Sequence, residues 1–466
     1  MDSNKKHILA QIENHKKILL DDQANISLTK ILSSEQCQRI LVGCREFRDR
    51  VYTPIKTVFI FIKQVLNPDK SCKKAVTGVA IEQINAGNQP VSINTGPYCK
   101  ARKRLPDQAV YDLVKETGSA PMRSMPQSWK VYGRNVIGVD GSTGKAADTK
   151  ENQIEFPQHN NQKEGAGFPI FRYVAIMSLT LGTILDYAIG AYKGKGTGEA
   201  SLLRTIIGSI KKDDIVLGDR YFPSYFLMAD IKKIGADGIF KGQAQRHYDF
   251  RSGTRLDKND HVVYWEKPNR PQWMSQEDYD AYPDRILVRE FKVSGNVYIT
   301  TFLNANKYHK KELASIYRCR WHVEINLKYI KSVMNMDMLT CKTPDMVRKE
   351  IGIHFLAYNF IRIIMAEACI RHAGNPLEVS FKGSVQLLTE CMPHFLRTGT
   401  ARNEALYEQM LKLIVKNKIG NRPGRIEPRM IKQRHKPFPT LKRNRSTERE
   451  ILMRKVNRKI AKYEAA

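Results

Sequence analysis

The sequence lacks the cysteine patterns of zinc-binding and disulfide-bonded domains. It contains eight cysteines, but no two of them form a Cys-x-x-Cys pair and no group has the spacing of zinc ligands. Neither a structural zinc site nor a disulfide framework is therefore indicated. Reduced thiols in a cytoplasmic protein are the expected state.

Long apolar runs are also missing near the N-terminus. The longest strongly apolar stretch there, Val58–Ile62, is far shorter than a membrane span, and the first twenty residues lack the apolar core of a signal peptide. A second apolar segment, Ile351–Ile370, contains His354 and Arg362. This pattern predicts a buried helix of a soluble protein and no membrane partner.

Acidic residues are too few to balance the basic ones. The chain has 77 Lys and Arg against 47 Asp and Glu, which gives a formal net charge of +30. Such a balance favours polyanionic partners and charge-steered association. Ribosomal and some membrane-surface proteins are also basic, so the charge favours nucleic acid without identifying it. The length of 466 residues, with 42% hydrophobic content, allows a substantial core and roughly two to four domains.

The first part of the chain, residues 1–130, has the apolar periodicity of helices and predicts a helical N-terminal domain. Near its end, the segment Asn94–Pro106 concentrates positive charge beside Tyr98. Two interpretations stay open from these residues alone: contacts with DNA phosphates or a solvated basic turn between helices. The basic side chains of this segment are Lys100, Arg102, Lys103 and Arg104.

Residues 131–375 change to short apolar strands. Val136–Val139 leads to Asp140, and the following Gly141–Gly144 predicts a turn. A fully apolar strand, Ile215–Leu217, leads to Asp219. The order of three strands, helix, strand, helix and strand predicts an α/β catalytic domain with a ribonuclease H-like core.

Two further regions complete the predicted organisation. Residues 243–304 read as a β-rich insertion in the core, before a later helix. Residues 376–466 form a basic C-terminal region that is helical at first. Its last part, residues 416–466, holds 17 basic and four acidic residues together with four prolines, so we expect it to be partly disordered when free.

Residues 317–331 lack the leucine and isoleucine stripe of a core-facing helix. On a regular helix, residues seven apart differ by only about 20° in direction. Tyr317, Glu324 and Lys331 would therefore share one stripe, and Arg320 would lie beside Glu324. An acid held among cations suits a metal-binding carboxylate near a phosphate chain. The alternative is a solvated helix face with charge pairs four residues apart.

Asp140 and Asp219 each follow an apolar strand. If these strands are parallel neighbours, both carboxylates emerge at the same edge of the sheet, and Glu324 from a packed helix can complete a triad. Cleavage of a phosphodiester without a covalent intermediate needs several carboxylates that hold two Mg²⁺ ions about 3.5–4 Å apart. The alternative for each aspartate is a turn or capping residue.

The spacing Tyr-x2-Arg-x3-Glu-x6-Lys resembles the signature of the insertion-sequence-four family of bacterial DDE transposases. The resemblance extends to Val-Asp-Gly-Ser at Asp140, to Leu-Gly-Asp-Arg at Asp219–Arg220 and to the segment Tyr98–Pro106. It implies that Asp140, Asp219 and Glu324 are catalytic metal ligands. It also implies that Tyr317, Arg320 and Lys331 contact the DNA end. Further DNA contacts are expected from Arg220, Lys100, Arg102 and Arg104.

The function that the resemblance implies is Mg²⁺-dependent cut-and-paste DNA transposition, with Mn²⁺ as a substitute ion. The protein would bind the terminal inverted repeats of its own insertion sequence as a homodimer, and would be nucleoid-associated when bound to DNA. In some family members an aromatic side chain of the insertion stacks on a flipped base. Trp265 and Trp273 are the candidates for this role here, and the alternative for each is a tryptophan of the core or of a turn. The alternatives are a transposase-derived DNA-binding protein that does not cut, and a nuclease on the same core.

Overall fold

The described part of the chain is a mixed α/β structure built around one nine-stranded sheet. It comes from a computed structural model that describes residues 35–44, 51–123, 125–395, 400–420, 441 and 443–464. The α/β class expected from the sequence is confirmed. The strands are β1 (Val136–Lys145), β2 (Ile170–Ser178), β3 (Ile184–Ala191), β4 (Ile215–Gly218), β5 (Asp237–Lys241), β6 (Thr254–Asp257), β7 (Asp260–Glu266), β8 (Arg285–Val293) and β9 (Asn296–Thr300).

The strands lie in the order β3-β2-β1-β4-β5-β9-β8-β7-β6. β1, β4 and β5 are parallel to one another, whereas the other neighbours pair antiparallel. All four residues of β4 are buried, which is typical of a central parallel strand covered on both faces. The centre of the sheet is therefore a short parallel unit whose strand ends point in one direction.

β1 is longer than the sequence predicted. The expected turn at Gly141–Gly144 is wrong, because these residues continue the strand and pair with β2 from Gly141 opposite Val174 to Gly144 opposite Phe171. β2 supplies hydrogen-bonding partners beyond the point where the pairing of β1 with β4 ends. Asp140 therefore lies inside a strand, at the place where one of its two neighbours has stopped.

The β-rich segment predicted at residues 243–304 contributes β6, β7, β8 and β9. β9 pairs antiparallel with β5, and the other three strands follow outward from it. The segment thus extends the central sheet on the side away from β3.

Helices cover both faces of the sheet. Alternate residues of β2 face two different hydrophobic cores, because successive side chains of a strand point to opposite faces: Tyr173 belongs to one core and Val174 to the other. The helices between the strands and after them are α6 (Lys150–Glu155), α7 (Glu199–Ile206), α8 (Tyr225–Ile234), α9 (Gln276–Asp280), α10 (Lys310–Arg318), α11 (Trp321–Lys328) and α12 (Pro344–Arg371). α11 and α12 belong to the Tyr173 core, whereas α7 and α8 belong to the Val174 core.

The N-terminal region is helical where it is described, as predicted. Its helices are α1 (Glu35–Val42), α2 (Pro54–Leu66), α3 (Cys72–Asn85), α4 (Thr95–Arg104) and α5 (Asp107–Arg123). Val58 of α2 and Val110 of α5 share one hydrophobic core with Phe355 of α12 and Tyr187 of β3. Burial of apolar area therefore joins these helices to the sheet.

α12 is the central helix of the Tyr173 core. It is 28 residues long, and it is the one helix in the described part of the chain with the length and composition to cross a membrane. Of its most apolar window, 89% is buried inside the protein, including the side chain of His354. The prediction that Ile351–Ile370 forms a buried helix is therefore confirmed.

Where it is described, the C-terminal region forms the helices α13 (Phe381–Phe395), α14 (Thr400–Lys416) and α15 (Arg445–Glu464). The helical beginning expected for residues 376–466 is thus confirmed. The irregular stretch expected after it falls largely on residues 421–440, outside the described residues.

Candidate active site

Asp140 and Asp219 come together at one edge of the parallel unit. β1 and β4 are parallel neighbours, and Gly138 lies opposite Leu217. Asp140 and Asp219 each lie two residues beyond this pair in the direction of their own strand, so both stand at the same edge of the sheet. The expected parallel pairing of the two strands is confirmed. Backbone amides orient both carboxylates: Gly141 N–H donates to Asp140 at 2.8 Å, and Tyr221 N–H donates to Asp219 at 2.8 Å.

The segment that carries Glu324 is not the single regular helix that the spacing argument assumed. α10 ends at Arg318 and α11 begins at Trp321. Between them the backbone tightens, since Arg320 N–H donates to the carbonyl of Tyr317, three residues back, at 3.0 Å. After α11, residues Tyr329–Val333 form a π-helical turn. A tight turn followed by a wide one changes the angle per residue. The prediction that Tyr317, Glu324 and Lys331 share one stripe of a regular helix is therefore wrong.

The altered winding separates the residues of the expected stripe. Tyr317 is only 9% exposed, and its ring meets that of Tyr298 edge-on with the centroids 5.3 Å apart. Lys331 lies half-buried on the π-helical turn. Glu324 stays accessible, with 39% of its side chain exposed. Of these three residues, Glu324 is the one whose carboxylate pairs with Arg320, which also lies near Asp140, whereas Tyr317 lies near enough to Asp219 for that charge to raise its pKa.

α11 reaches β1 because Gly138 has no side chain. A Cβ atom at Gly138 would overlap Val323 Cγ2 and come within 2.8 Å of Leu179 Cδ2. Gly138 and Asp140 are two residues apart on the strand and so face the same side of the sheet. The close packing of Val323 on Gly138 therefore sets Glu324, the next residue, near Asp140.

Arg320 lies between the first and third acids. Its guanidinium is 2.6 Å from Glu324 Oε1 and 3.7 Å from Asp140 Oδ2. Only 15% of the side chain is exposed, and its Nε is buried without a hydrogen-bond partner. The positive charge of Arg320 bridges the two carboxylates.

The electrostatics of the site centre on Asp140. Burial raises the pKa of Asp140 to about 6. The N–H of Gly141 and the charge of Arg320 act against this rise, whereas the carboxylates of Asp219 and Glu199 add to it. The acids therefore lie close enough to repel one another, which favours a bound cation.

The donor set fits a hard divalent cation in chemistry. Asp140, Asp219 and Glu324 offer carboxylate oxygens, the ligands that Mg²⁺ and Mn²⁺ prefer. As the side chains stand, no group of three or more His, Cys, Asp or Glu in the described ranges could hold a metal ion. Arg320 occupies one oxygen of Glu324. Arg320 has to leave Glu324 before the three acids can share a cation.

The basic segment near the N-terminus forms helix α4 rather than a turn, and the prediction that Arg102 contacts DNA is wrong. Arg102 is 8% exposed, and its guanidinium donates to Gln64 Oε1 at 3.3 Å and to Cys72 Sγ at 3.1 Å. It also lies over the ring of Phe61, 4.8 Å from the centroid. The helix turns Tyr98 and Arg102 together onto its buried face.

The opposite face of α4 keeps its charges at the surface. Lys100, Lys103 and Arg104 are exposed, and they lie together because residues three and four apart are neighbours on a helix. Arg220 is also exposed, directly after Asp219. Phosphates can reach these four exposed side chains.

The two tryptophans of the β-rich segment differ in exposure. Trp265 is 3% exposed, and its indole N–H donates to Glu290 Oε1 at 2.8 Å, so it is a core residue. Trp273 is 51% exposed, and the guanidinium of Arg204 lies 3.7 Å from its ring centroid. Of the two, Trp273 offers an exposed ring.

The sequence argument missed two residues at the site. Glu199, the first residue of α7, approaches β1 closely at Gly141. Tyr221 is 77% exposed beside Asp219. The signal for Glu199 was the glycine directly after Asp140, since a glycine inside a strand often marks a close approach. The turn predicted at Gly141 concealed it.

Comparisons with known proteins find transposases. A family model described as "Transposase DDE domain" matches residues 132–360, a range that contains Asp140, Asp219 and Glu324. The "Transposase InsG for insertion sequence element IS4" of Escherichia coli (strain K12) is 24% identical over 362 residues, which cover 76% of this chain and 80% of that protein.

Two more similarities are weaker. The "Putative transposase InsL for insertion sequence element IS186A" of Escherichia coli (strain K12) is 32% identical over 72 residues, which cover 16% of this chain and 20% of that protein. Among solved structures, the piggyBac transposase synaptic complex with hairpin DNA has 10% identity and a TM-score of 0.43, and the match covers 86% of both chains.

Proposed function

Because the chain belongs to the DDE transposases of the insertion-sequence-four family, we propose that it cuts and joins the ends of its own insertion sequence in a Mg²⁺-dependent reaction. The chain is an enzyme of DNA transposition, and DNA is its substrate. The observation that supports the proposal is the placement of Asp140 near Asp219 at one sheet edge, with Arg320 joining Asp140 to Glu324.

The sheet supports a ribonuclease H-like core for this enzyme. Strands β3, β2 and β1 form an antiparallel meander, and β4 and β5 continue it in parallel to β1. This arrangement brings the ends of β1 and β4 to the same edge, where two of the three acids stand. Helix α11 supplies the third.

DDE transposase domains generally use divalent metal ions. Asp140, Asp219 and Glu324 would hold these cations here. Mg²⁺ is the proposed ion, and Mn²⁺ would substitute for it. Bound cations would make a water or a 3′-hydroxyl nucleophilic and would neutralise the leaving oxygen. Arg320, which neutralises Glu324 in the free protein, would exchange this carboxylate for a DNA phosphate. Tyr317 would position the Arg320 guanidinium, which lies 5.9 Å from its ring centroid.

DNA recognition is proposed for the helical region within residues 1–130, which would read the terminal inverted repeats. The exposed face of α4 supports this proposal, since Lys100 and Arg104 lie there. Arg220 and Lys331 would contact the backbone nearer the cleaved bond. The protein would act as a homodimer on paired ends, and the basic region 376–466 would support the contacts of the dimer or of the ends.

We expect Lys100→Ala and Lys103→Ala each to weaken binding of inverted-repeat DNA, with little change in sequence preference. A lysine that contacts phosphate releases about one counterion, so each variant should lower the slope of log K against log salt by about 0.9. Fluorescence anisotropy at several salt concentrations measures this slope. Lys292→Ala, an exposed lysine of β8, is the control. An unchanged slope in both α4 variants would contradict the assignment of α4.

Two alternatives have specific counter-observations. A transposase-derived protein that binds DNA without cutting has no need of three acids at one edge, yet all three stand there. A nuclease on the same core would cut but would not join a free 3′-hydroxyl to a target. A strand-transfer assay with pre-cut ends separates the nuclease from the transposase.

The experiment that tests the proposal uses the purified chain and DNA with the inverted repeats that flank its own gene. With Mg²⁺ we expect cuts at the tips of the repeats and joined products with a target plasmid. Chelation by EDTA should remove both activities, and Mn²⁺ should restore them. Tight binding without cuts in Mg²⁺ and in Mn²⁺ would favour the DNA-binding alternative.

A further inference from the structure

A second glutamate approaches the site from the other side of the sheet. Gly138 and Gly141 are an odd number of residues apart on β1 and therefore face opposite sides of the sheet. Val323 of α11 packs at Gly138, and Glu199 of α7 packs at Gly141. The two helices also belong to different cores. β1 thus has an acid near it on each face, Glu324 on one side and Glu199 on the other.

The approach of Glu199 is close. A Cβ atom at Gly141 would lie 2.5 Å from the carboxyl carbon of Glu199 and 2.6 Å from its Oε1. Real Cβ atoms essentially never come that near another heavy atom. The carboxylate of Glu199 therefore occupies space that any side chain at position 141 would fill, directly beside Asp140.

The carboxylate of Glu199 has no bonded partner among the described residues. It makes no hydrogen bond and no ion pair with any residue that the structure describes. Its nearest opposite charge is Arg172, whose guanidinium donates to the carbonyl of Thr197 at 2.9 Å. Burial and the charge of Asp219 both raise the pKa of Glu199. The charge of Arg172 lowers the pKa of Glu199 against these effects. A bound cation would stabilise an acid that is held near two other acids.

Helix stability is a competing account. Glu199 is the first residue of α7, and an acid in the first turn interacts favourably with the helix dipole. This account explains why an acid stands at position 199. It does not explain the missing side chain at position 141 or the direction of the carboxylate toward β1, because an exposed acid would serve the dipole equally well.

We propose that Glu199 supplies a fourth carboxylate to the cation site, reaching β1 from the face opposite to Glu324. The inference rests on the proposed function, because the site is the one formed by Asp140, Asp219 and Glu324. Glu199 stands on α7, a helix separate from the Arg320–Glu324 pair, so it would join the site by a movement of its own side chain.

The test is Mn²⁺ binding to the full chain, measured through the electron paramagnetic resonance signal of the free ion. Glu199→Gln should weaken Mn²⁺ binding by about tenfold or more, the range found when groups that support a metal site are removed. The melting temperature without metal should change little. Glu151→Gln is the matched control, because Glu151 is an exposed acid in the first turn of α6. It should bind Mn²⁺ as the wild type does.

Gly141→Ala gives an independent route to the same result. The methyl group would push away the carboxylate, which is the flexible end of a side chain, so folding should survive while Mn²⁺ binding weakens. In the double variant with Glu199→Gln, the alanine should weaken Mn²⁺ binding little further, because the effects of substitutions at residues that act together are not additive. Additive losses would show that Gly141 acts without Glu199 and would contradict the proposal.

The outcomes separate this inference from the proposed function. If Glu199→Gln binds Mn²⁺ like the wild type while Glu324→Gln binds it more weakly, Glu199 is not a fourth donor and the transposase site stands. If the wild type neither binds Mn²⁺ nor cuts its repeats, the proposed function and this inference both fail.

Discussion

Glu324→Gln is expected to lower the rate of DNA end cleavage on the order of a thousandfold or more while leaving end binding within a few-fold of the wild type. The amide keeps the size of the side chain but removes the charge that a divalent cation needs. Loss of several kcal/mol of transition-state stabilisation at a metal corresponds to a rate loss of this order. End binding depends on basic residues elsewhere, such as Lys100 on α4.

Cleavage and binding are measured on the same repeat DNA, by gel assay of the cut strand and by anisotropy. Glu151→Gln serves again as the control, since Glu151 is an exposed acid on α6, an element that carries none of the three acids. A variant that loses binding together with cleavage would show that Glu324 is more than a cation ligand. A variant that still cuts at the wild-type rate would remove Glu324 from the catalytic set.

Gly138→Ala is expected to destabilise the fold by about 1–3 kcal/mol, as overpacking of a core does, and to slow cleavage by about a hundredfold. The new Cβ would overlap Val323 Cγ2, so α11 has to move away from β1. Glu324 moves with α11, and a displacement of about 1 Å at a reacting centre can reduce a rate a hundredfold. Asp140 and Glu324 both remain in this variant, so the slower cleavage would reflect the changed position of Glu324 alone.

The size of the side chain at position 323 provides the check on this explanation. Val323→Ala removes the overlapping methyl group, so the Gly138→Ala and Val323→Ala double variant should recover part of the stability and of the rate. Recovery is only partial because Leu179 Cδ2 also lies close to Gly138. Gly208→Ala, where a Cβ would meet nothing within 4 Å, is the control. No recovery in the double variant would contradict the packing argument. Thermal unfolding and the cleavage assay supply both measurements.

The sequence predicted the central part of the fold because strong local patterns dominate there. Ile215–Leu217 is wholly apolar and leads to Asp219, and such a run is typical of a buried parallel strand. The hairpin of β2 and β3 was marked by apolar and β-branched residues on both sides of Leu181–Gly182. The parallel pairing that brings Asp140 to Asp219 was a condition of the argument, and the register of β1 and β4 supports it.

Other features depend on partners that are distant in sequence and could not be predicted from it. Gly141–Gly144 has the composition of a turn, yet pairing with β2 keeps it in a strand. Arg102 lies in a basic segment of the kind that contacts DNA, yet its guanidinium donates to Gln64 and Cys72 inside the protein. The tight turn at Arg320 and the π-helical turn after α11 leave no mark in residue spacing.

The site residues divide in the same way. Glu324 and the two aspartates were found because their residue types and spacing match a known chemistry. Glu199 was missed because a single acid at a helix start is common, and its role is visible only when α7 is seen against β1. Charge and spacing identify a ligand set, whereas close approach between elements requires the fold.

The most direct test of the catalytic site is a structure of the chain bound to a cut repeat end and Mn²⁺, with the ions located by their anomalous scattering. The account predicts Mn²⁺ between Asp140, Asp219 and Glu324, with the guanidinium of Arg320 moved from Glu324 to a DNA phosphate. Ions bound elsewhere, or an Arg320–Glu324 pair that stays closed while the DNA end is in place, would contradict it.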